Sequence, residues 1–349
     1  MEAPEKRSWS VFTAVLAVII VIALVLLLVP NLFLGNILSP KQSTSTFVQN
    51  PSGNSVNTTA SIIAVTYPSN YDTLLNYTLS IINQNRTSFG LSPVTTSPIP
   101  SAQQHADSML QNNYFSHWDT QGFKPYMRYS LLNGTGFVEE NVAYEYSGFT
   151  SFISTQSVEK AIGSLEWQMM NNDSACCANG HRDNILNQYH NRVSIGIAYS
   201  STYVYFVEDF ETYFAELNTP VAQGNSIIME GNTSQTLNPT SVDIYYDPTP
   251  TSVTPSTLNS VYNTPYDQGS FVGGVLAPCD NIFRQCQKFS QGITVGASTW
   301  QVSSGAINIQ FSLANFVQVD GSGVYTIYLV QGSSNNTEFL TSISVFITS

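Results

Sequence analysis

Charge is what this sequence has least of. Only 10% of residues are charged, with 11 Lys and Arg against 23 Asp and Glu, for a formal net charge of -12. Phosphate recognition needs clustered Lys and Arg, so nucleic acid is excluded as a partner. Docking on anionic lipid through basic residues is excluded on the same ground. Cysteine is scarce too, at four: Cys176, Cys177, Cys279 and Cys286. No paired C-x-x-C exists, which argues against a structural zinc knot. Histidine also numbers four, and no H-E-x-x-H or other local ligand motif occurs. Any His-based chemistry must therefore be assembled by the fold.

With so little charge, the surface must be dressed with Ser, Thr, Asn, Gln and Tyr. The hydrophobic share, 42%, is ample for a core. Asn-X-Ser/Thr sequons occur at Asn57, Asn76, Asn85, Asn133, Asn172, Asn232 and Asn335. Each is a candidate for glycosylation in an extracytoplasmic chain. Sparse charge with dense sequons resembles archaeal surface proteins.

Residues 1–10 hold Lys6 and Arg7 and read as a cytoplasmic tail. Residues 11–34 contain no charge, and Val11–Val29 is almost wholly aliphatic, long enough for a ~30 Å hydrocarbon core at ~1.5 Å per residue. A single transmembrane helix is expected, with everything beyond it outside the cell; a cleaved signal peptide is the other reading. Residues 35–69, rich in Ser, Thr, Asn and Pro, read as a stalk.

From 70 to 218 the periodicity predicts helices over 71–89, 101–112, 123–132 and 157–170, then an antiparallel hairpin from Val193–Tyr199 and Tyr203–Phe210. This is α+β. Residues 219–225 read as a linker. Residues 226–349 show only strand-like runs and are expected to form an all-β sandwich. Asp320-Gly-Ser-Gly-Val-Tyr325 resembles the turn into strand F of immunoglobulin-like folds, where a Tyr hydroxyl bonds back to the backbone.

Three short runs in the first region carry most of the chemistry: Tyr114-Phe-Ser-His117-Trp, Glu140-Asn141-Val-Ala and Gly180-His181-Arg182-Asp-Asn184-Ile-Leu. Neutral imidazoles with a carboxylate suit Zn²⁺ or another divalent cation, or general acid–base work. Nothing supplies a nucleophile, since no Ser or Cys adjoins a His in an activation motif.

Together with Asn76-Tyr-Thr-Leu-Ser-Ile-Ile-Asn-Gln-Asn-Arg86 and the closing Ile195-Gly-Ile-Ala and Val207-Glu-Asp-Phe210, these runs resemble the CAP superfamily, also called the SCP domain, over about residues 70–212. The family includes cysteine-rich secretory, antigen 5 and pathogenesis-related proteins, and the likeness is to its prokaryotic branch. The resemblance implies an α-β-α sandwich with an open cleft lined by two His and two acids. His117 and His181 take the histidine places and Glu140 the first acidic place. The second falls to Glu166, or to the neutral Gln168 if the register shifts. Asn141, Arg182 and Asn184 are expected to hold the loop and core around it. The resemblance implies no agreed reaction, so an enzyme is not the first expectation; if one, it is a metal-dependent hydrolase. Three readings stand: a binding module for a small-molecule, lipid or protein ligand, a metal-assisted hydrolase such as a peptidase, or a structural envelope component.

Outside the cell the cysteines should be oxidised. Cys279–Cys286 closes an easy loop and leaves Cys176 and Cys177 adjacent. The other pairing ties both of these to the C-terminal region. The insertion at 171–179 that carries the adjacent pair lies beside the proposed cleft and could lid it.

Overall fold

The computed structural model describes residues 65–218, 225–279, 287–333 and 336–348. The expected tail, transmembrane helix and most of the stalk, the linker residues 219–224, Asn57, Cys286 and Asn335 lie outside them. Among the described residues no helix is long and apolar enough to cross a membrane. By compactness the chain divides into residues 1–47 and 48–349, so all that is described belongs to the second unit. Its fold starts earlier than expected, with Thr66 N–H bonded to Asp107 at 2.7 Å.

The first region is a sheet between helices. Helix α1 (Tyr71–Ser88) buries Leu74, Thr78, Ile82 and Arg86, four residues apart and so on one face. It stops at Gly90, which takes φ +75. Helix α2 (Ser101–Asn112) ends where Asn113 turns left-handed, and α3 (Pro125–Leu131) has Pro at its first position. Helix α4 (Thr155–Asn171) opens on a reciprocal Ser154/Ser157 cap. Two short helices follow, α5 (Ser174–Cys177) and α6 (Gly180–Ile185).

The sheet runs β1 (Thr95–Thr96), β3 (Arg192–Tyr199), β4 (Tyr203–Thr212), β2 (Phe137–Tyr146). Period-two alternation sorts its residues. Val193, Ile195, Ile197, Val204, Phe206 and Phe210 pack with α1 and α4, whereas Ala198, Tyr205 and Val207 pack with α2. Gly196 is Gly because a side chain there would strike the Ala102 carbonyl, so α2 lies flat on β3. One strand has no counterpart among the elements expected from the sequence: Glu140 and Asn141 sit in β2. Glu140 pairs with Asp209 and Asn141 with Glu208, so the two neighbours face opposite sides of the sheet.

The second region has two sheets over one apolar core. The first orders β10 (Thr299–Ser303), β11 (Ala306–Ser312), β6 (Ser226–Thr233) and β5 (Ala215–Leu217). The second orders β13 (Asn336–Phe339), β12 (Gly323–Ser333), β7 (Pro239–Asp247), β8 (Ser270–Leu276) and β9 (Ile293–Gly296), with β14 (Ile343–Ile347) also on β12. Ile227, Met229, Ile307 and Ile309 meet Val242, Ile244, Ile327 and Leu329 between them. The Tyr325 hydroxyl donates to the Gly321 carbonyl at 2.7 Å, as the turn motif predicts. Two short helices, α7 (Pro255–Ser260) and α8 (Ala314–Asp320), interrupt a stretch expected to be all β.

The regions expected as separate domains are packed together. Tyr126 and Val138 share a core with Val324 and Phe346, and Phe137 shares one with Tyr328 and Val330. Ser342 N–H donates to the Gly136 carbonyl at 3.0 Å, and Ser344 N–H to Ser130 Oγ at 2.9 Å.

Of the two pairings weighed, the one that tied Cys176 and Cys177 to the C-terminal region does not occur. These neighbours are bonded to each other. Cys279 is itself disulfide-bonded, so neither early cysteine ties the two regions. Among the described sequons, Asn76, Asn133, Asn172 and Asn232 are exposed. Asn85 is not free, since its Nδ2 donates to Glu166 at 2.7 Å.

Candidate functional site

The left-handed Asn113 turns the chain out of α2 and delivers Tyr114 to Trp118 over the β2 edge of the sheet. His117 Nδ1 there lies 2.9 Å from Glu140 Oε1, with Glu140 projecting from β2 toward α2. The other carboxylate oxygen accepts from Arg128 of α3 at 2.5 Å. Arg128 also donates to the His117 carbonyl at 2.7 Å, so one guanidinium fixes both partners. Asp209 stands opposite Glu140 and accepts from Ser101. His105 completes the cluster, its Nε2 bonded to the Ser116 carbonyl at 2.8 Å and 3.9 Å from Glu140 Oε1.

Burial sets the electrostatics. It pushes the Glu140 carboxyl up to about 7, against the pull of Arg128. Burial, then the charge of Glu140, holds Asp209 well above the usual carboxylate range. Burial, then the fields of His181 and Arg128, lowers His117 to about 3. His117 is thus neutral at ordinary pH. Donating Nδ1–H to Glu140 leaves its Nε2 as an acceptor.

A strap from the second region covers this cluster. The β7–β8 connection bonds the Asn113–Lys124 loop at four places. Val253 N–H donates to Thr120 O at 2.9 Å, Phe115 N–H to Asn259 Oδ1 at 2.8 Å, Ser116 Oγ to Tyr262 O at 2.8 Å, and Lys124 Nζ to Asp267 Oδ1 at 2.5 Å. The Tyr266 ring lies 5.0 Å from the His117 ring, and its hydroxyl accepts Glu140 N–H at 3.1 Å. Residues 171–179, expected beside the cleft, reach the second histidine. Their Asp173 binds His181 Nδ1 at 2.6 Å.

His181 therefore resembles His117 in one respect: each imidazole is gripped through Nδ1 by a buried carboxylate. Their side chains keep 19% and 13% exposure. The two are close enough for His181 to depress the basicity of His117. Asn141 ties the runs together, donating to the His181 carbonyl at 3.2 Å and to Glu208 at 3.1 Å. Asn184 donates to Asn141 Oδ1 at 3.0 Å and accepts from His190 at 2.9 Å. Arg182 stacks on Phe89, 5.3 Å from the ring centre. Arg86, wholly buried, donates to the carbonyls of Ser92, Ile185, Asn187 and His190 and so closes the loop after α6.

The second acidic place is not filled as expected. Glu166 lies on the other sheet face, bonded to Asn85 and coupled to Glu208. Burial raises both, and the charge of Glu166 raises Glu208 further. Gln168 is exposed and bonds Ser164. His117, Glu140, Glu166 and His181 thus do not fit a shared divalent ion: Arg128 already neutralises Glu140, and Glu166 points elsewhere. A cavity lined by Tyr67, Tyr71, Ile99, Gln103 and Ile195 lies at the far, β1–β3 edge of the sheet, away from the histidines.

Arg128, Asp209, Ser101, Tyr266 and Asp173 were missed in the sequence. Only Asp209 had a signal there, as the acid in Val207-Glu-Asp-Phe210. Two of the chain's solved-structure neighbours are SCP or CAP domains. One is an extracellular SCP-domain protein of Bacillus anthracis, at 22% identity over 40% of each chain and a TM-score of 0.29. Another is the CAP domain of enterococcal PrgA, at 15% identity over 39% of this chain and 59% of that one, with a TM-score of 0.29. An outer surface protein of Borrelia burgdorferi matches at 14% identity over 42% of this chain and 95% of that one, with a TM-score of 0.30. The match thus spans well under half of the Bacillus protein. At these scores and identities the likeness says nothing about activity. No protein-family model matches the chain, and no curated protein does.

Proposed function

We propose that this chain is a surface-displayed binding module: a CAP-type domain presenting a two-histidine groove, braced by an immunoglobulin-type sandwich and held to the membrane by residues 11–34. The sheet orders support the sandwich. They match the A-B-E-D and C′-C-F-G arrangement, with Tyr325 at the F corner.

One observation carries the binding reading over the hydrolytic one. Glu140, the carboxylate against His117, is neutralised by Arg128 and covered by Tyr266. A general base needs a free lone pair within reach of substrate, and Glu140 has both oxygens engaged. The imidazoles, gripped at Nδ1, leave Nε2 to meet a hydroxyl or amide of a bound ligand.

The test is sedimentation of purified residues 48–349, without the expected anchor, with an envelope fraction from its source cells, beside a peptide-release assay. Wild type should co-sediment and release no peptide, and His117→Ala with His181→Ala should stay in the supernatant. His-dependent peptide release would establish the hydrolase instead. Equal sedimentation of the double variant would leave the groove without a role and favour a structural envelope component.

A further inference from the structure

We propose that Asp173, Cys176, Cys177 and His181 form a thiol-gated site for a divalent cation of zinc type, opened when the Cys176–Cys177 bridge is reduced. The proposal does not rest on the groove reading above. Ligand atoms from these four residues lie within 4.8 Å of one another, and among the described residues no other group of three or more His, Cys, Asp or Glu comes so close.

The backbone builds the cluster. Ala178 and Asn179 both take left-handed φ, 51° and 69°, and fold α6 back onto the start of α5. Asp173 Oδ2 then accepts the backbone N–H groups of His181 at 2.9 Å and Arg182 at 3.3 Å. Asp173 Oδ1 lies 2.6 Å from His181 Nδ1 and 3.6 Å from Cys176 Sγ. The Asp173 carbonyl anchors Cys177 N–H at 3.0 Å. Asp173 is buried, Cys176 is exposed, and the other two are half-buried, so the cluster opens to solvent.

Oxidised, the sulfurs offer no anionic ligand. A dithiol or phosphine supplies two electrons. The S–S bond breaks, two S–H groups form with two protons from solvent, and the reductant ends as its own disulfide or phosphine oxide. A cation then displaces both thiol protons, and the ring proton of His181 moves from Nδ1 to Nε2 so that Nδ1 is free for the metal. Two thiolates, an imidazole and a carboxylate match a tetrahedral zinc donor set, whose ligand atoms stand about 3.3–3.8 Å apart. Cys176 and Asp173 already stand at that separation, and the Asp173–His181 contact must open.

The test uses the full chain in detergent with Co²⁺ as the probe, which shows a thiolate-to-metal charge-transfer band only when sulfur binds. The phosphine-reduced chain should take one Co²⁺ with that band, displaced by Zn²⁺, and the oxidised chain should show none. Cys176→Ser with Cys177→Ser should abolish the band although Cys279 and Cys286 remain. His181→Ala should weaken Co²⁺ binding by about 100-fold or more, the upper end of what even outer-sphere changes cost. His117→Ala should leave it unchanged, which separates this site from the groove. Cys177→Ser alone frees Cys176 without any reductant and should bind Co²⁺ through three ligands, even if reduction disturbs the wild-type fold. No band in Cys177→Ser, a band that survives the double serine change, or indifference to His181→Ala would overturn the site.

Discussion

The two regions of the compact unit build sheets by the same alternation over apolar cores, and differ in the charged groups that one of them buries beside its core. Between its sheets the C-terminal region encloses Ile, Leu, Val, Met and Phe, with Tyr325 bonded to the backbone. The N-terminal region also buries Glu140 on its edge strand β2 and Glu208, Asp209 and Glu211 on the inner strand β4, with His105, Arg128, Glu166 and Arg86 buried as well. An apolar core is tolerant, because its parts are interchangeable by volume. A buried polar layer is specific, because each group depends on one named partner. The strap at Tyr266 is where the tolerant region holds the specific one in place.

The largest expected effect tests that dependence. Arg128→Ala leaves Glu140, Asp119 and Asp209 without their cation and should cost about 3–5 kcal/mol in denaturant unfolding. A single-methyl cut in the apolar core of the other region, Ile327→Val, should cost only about 0.5–1.5 kcal/mol. If the two variants unfold at the same denaturant concentration, the contrast between the regions is gone.

Stability against pH comes next. Glu140 and Glu211 rise to about 7 and Asp107 to about 6, each chiefly through burial. An acid with a raised folded value binds more protons folded than unfolded. Its stabilisation is full below the unfolded value near 4.5 and is lost as pH rises through the folded value. Thermal unfolding should therefore fall between about pH 4.5 and 7.5 by an amount on the order of 3 kcal/mol, shared among coupled groups. Glu140→Gln should flatten part of that slope. A stability that climbs over this window contradicts the reading.

A smaller effect sharpens the role of the strap. Tyr266→Phe removes the acceptor of Glu140 N–H and should cost about 1–3 kcal/mol. Tyr325→Phe, within the apolar region, should cost about 0.5–1.5 kcal/mol. Urea unfolding of the two variants side by side gives the ratio. A larger loss from Tyr325→Phe would reverse the order of the regions.

The same contrast explains what could be read from sequence. Helices α1, α2 and α4 and strands β3 and β4 were legible because Leu74, Ile82, Val158, Ile162, Ile195 and Phe206 repeat at 3.6 or 2. Strand β2 was not, since Glu139, Glu140 and Asn141 interrupt its apolar alternation with groups that only tertiary partners satisfy. The placing of His117 beside Glu140 followed from the family likeness rather than from any spacing. Glu166 went astray because strand parity puts Glu140 and Glu208 on opposite faces, and parity was invisible without β2. The Tyr266 strap depends on where a chain segment distant in sequence comes to rest, and no local pattern encodes that.

The central claim is that His117 is sealed against Glu140 by Arg128 and Tyr266. Its imidazole titration, followed by nuclear magnetic resonance of ring-labelled histidine, tests this most directly. The account predicts a neutral ring with the proton on Nδ1 from pH 8 down to about pH 4, protonating only near pH 3. A midpoint near the ordinary ~6.5 would mean an open, solvated imidazole and would contradict it.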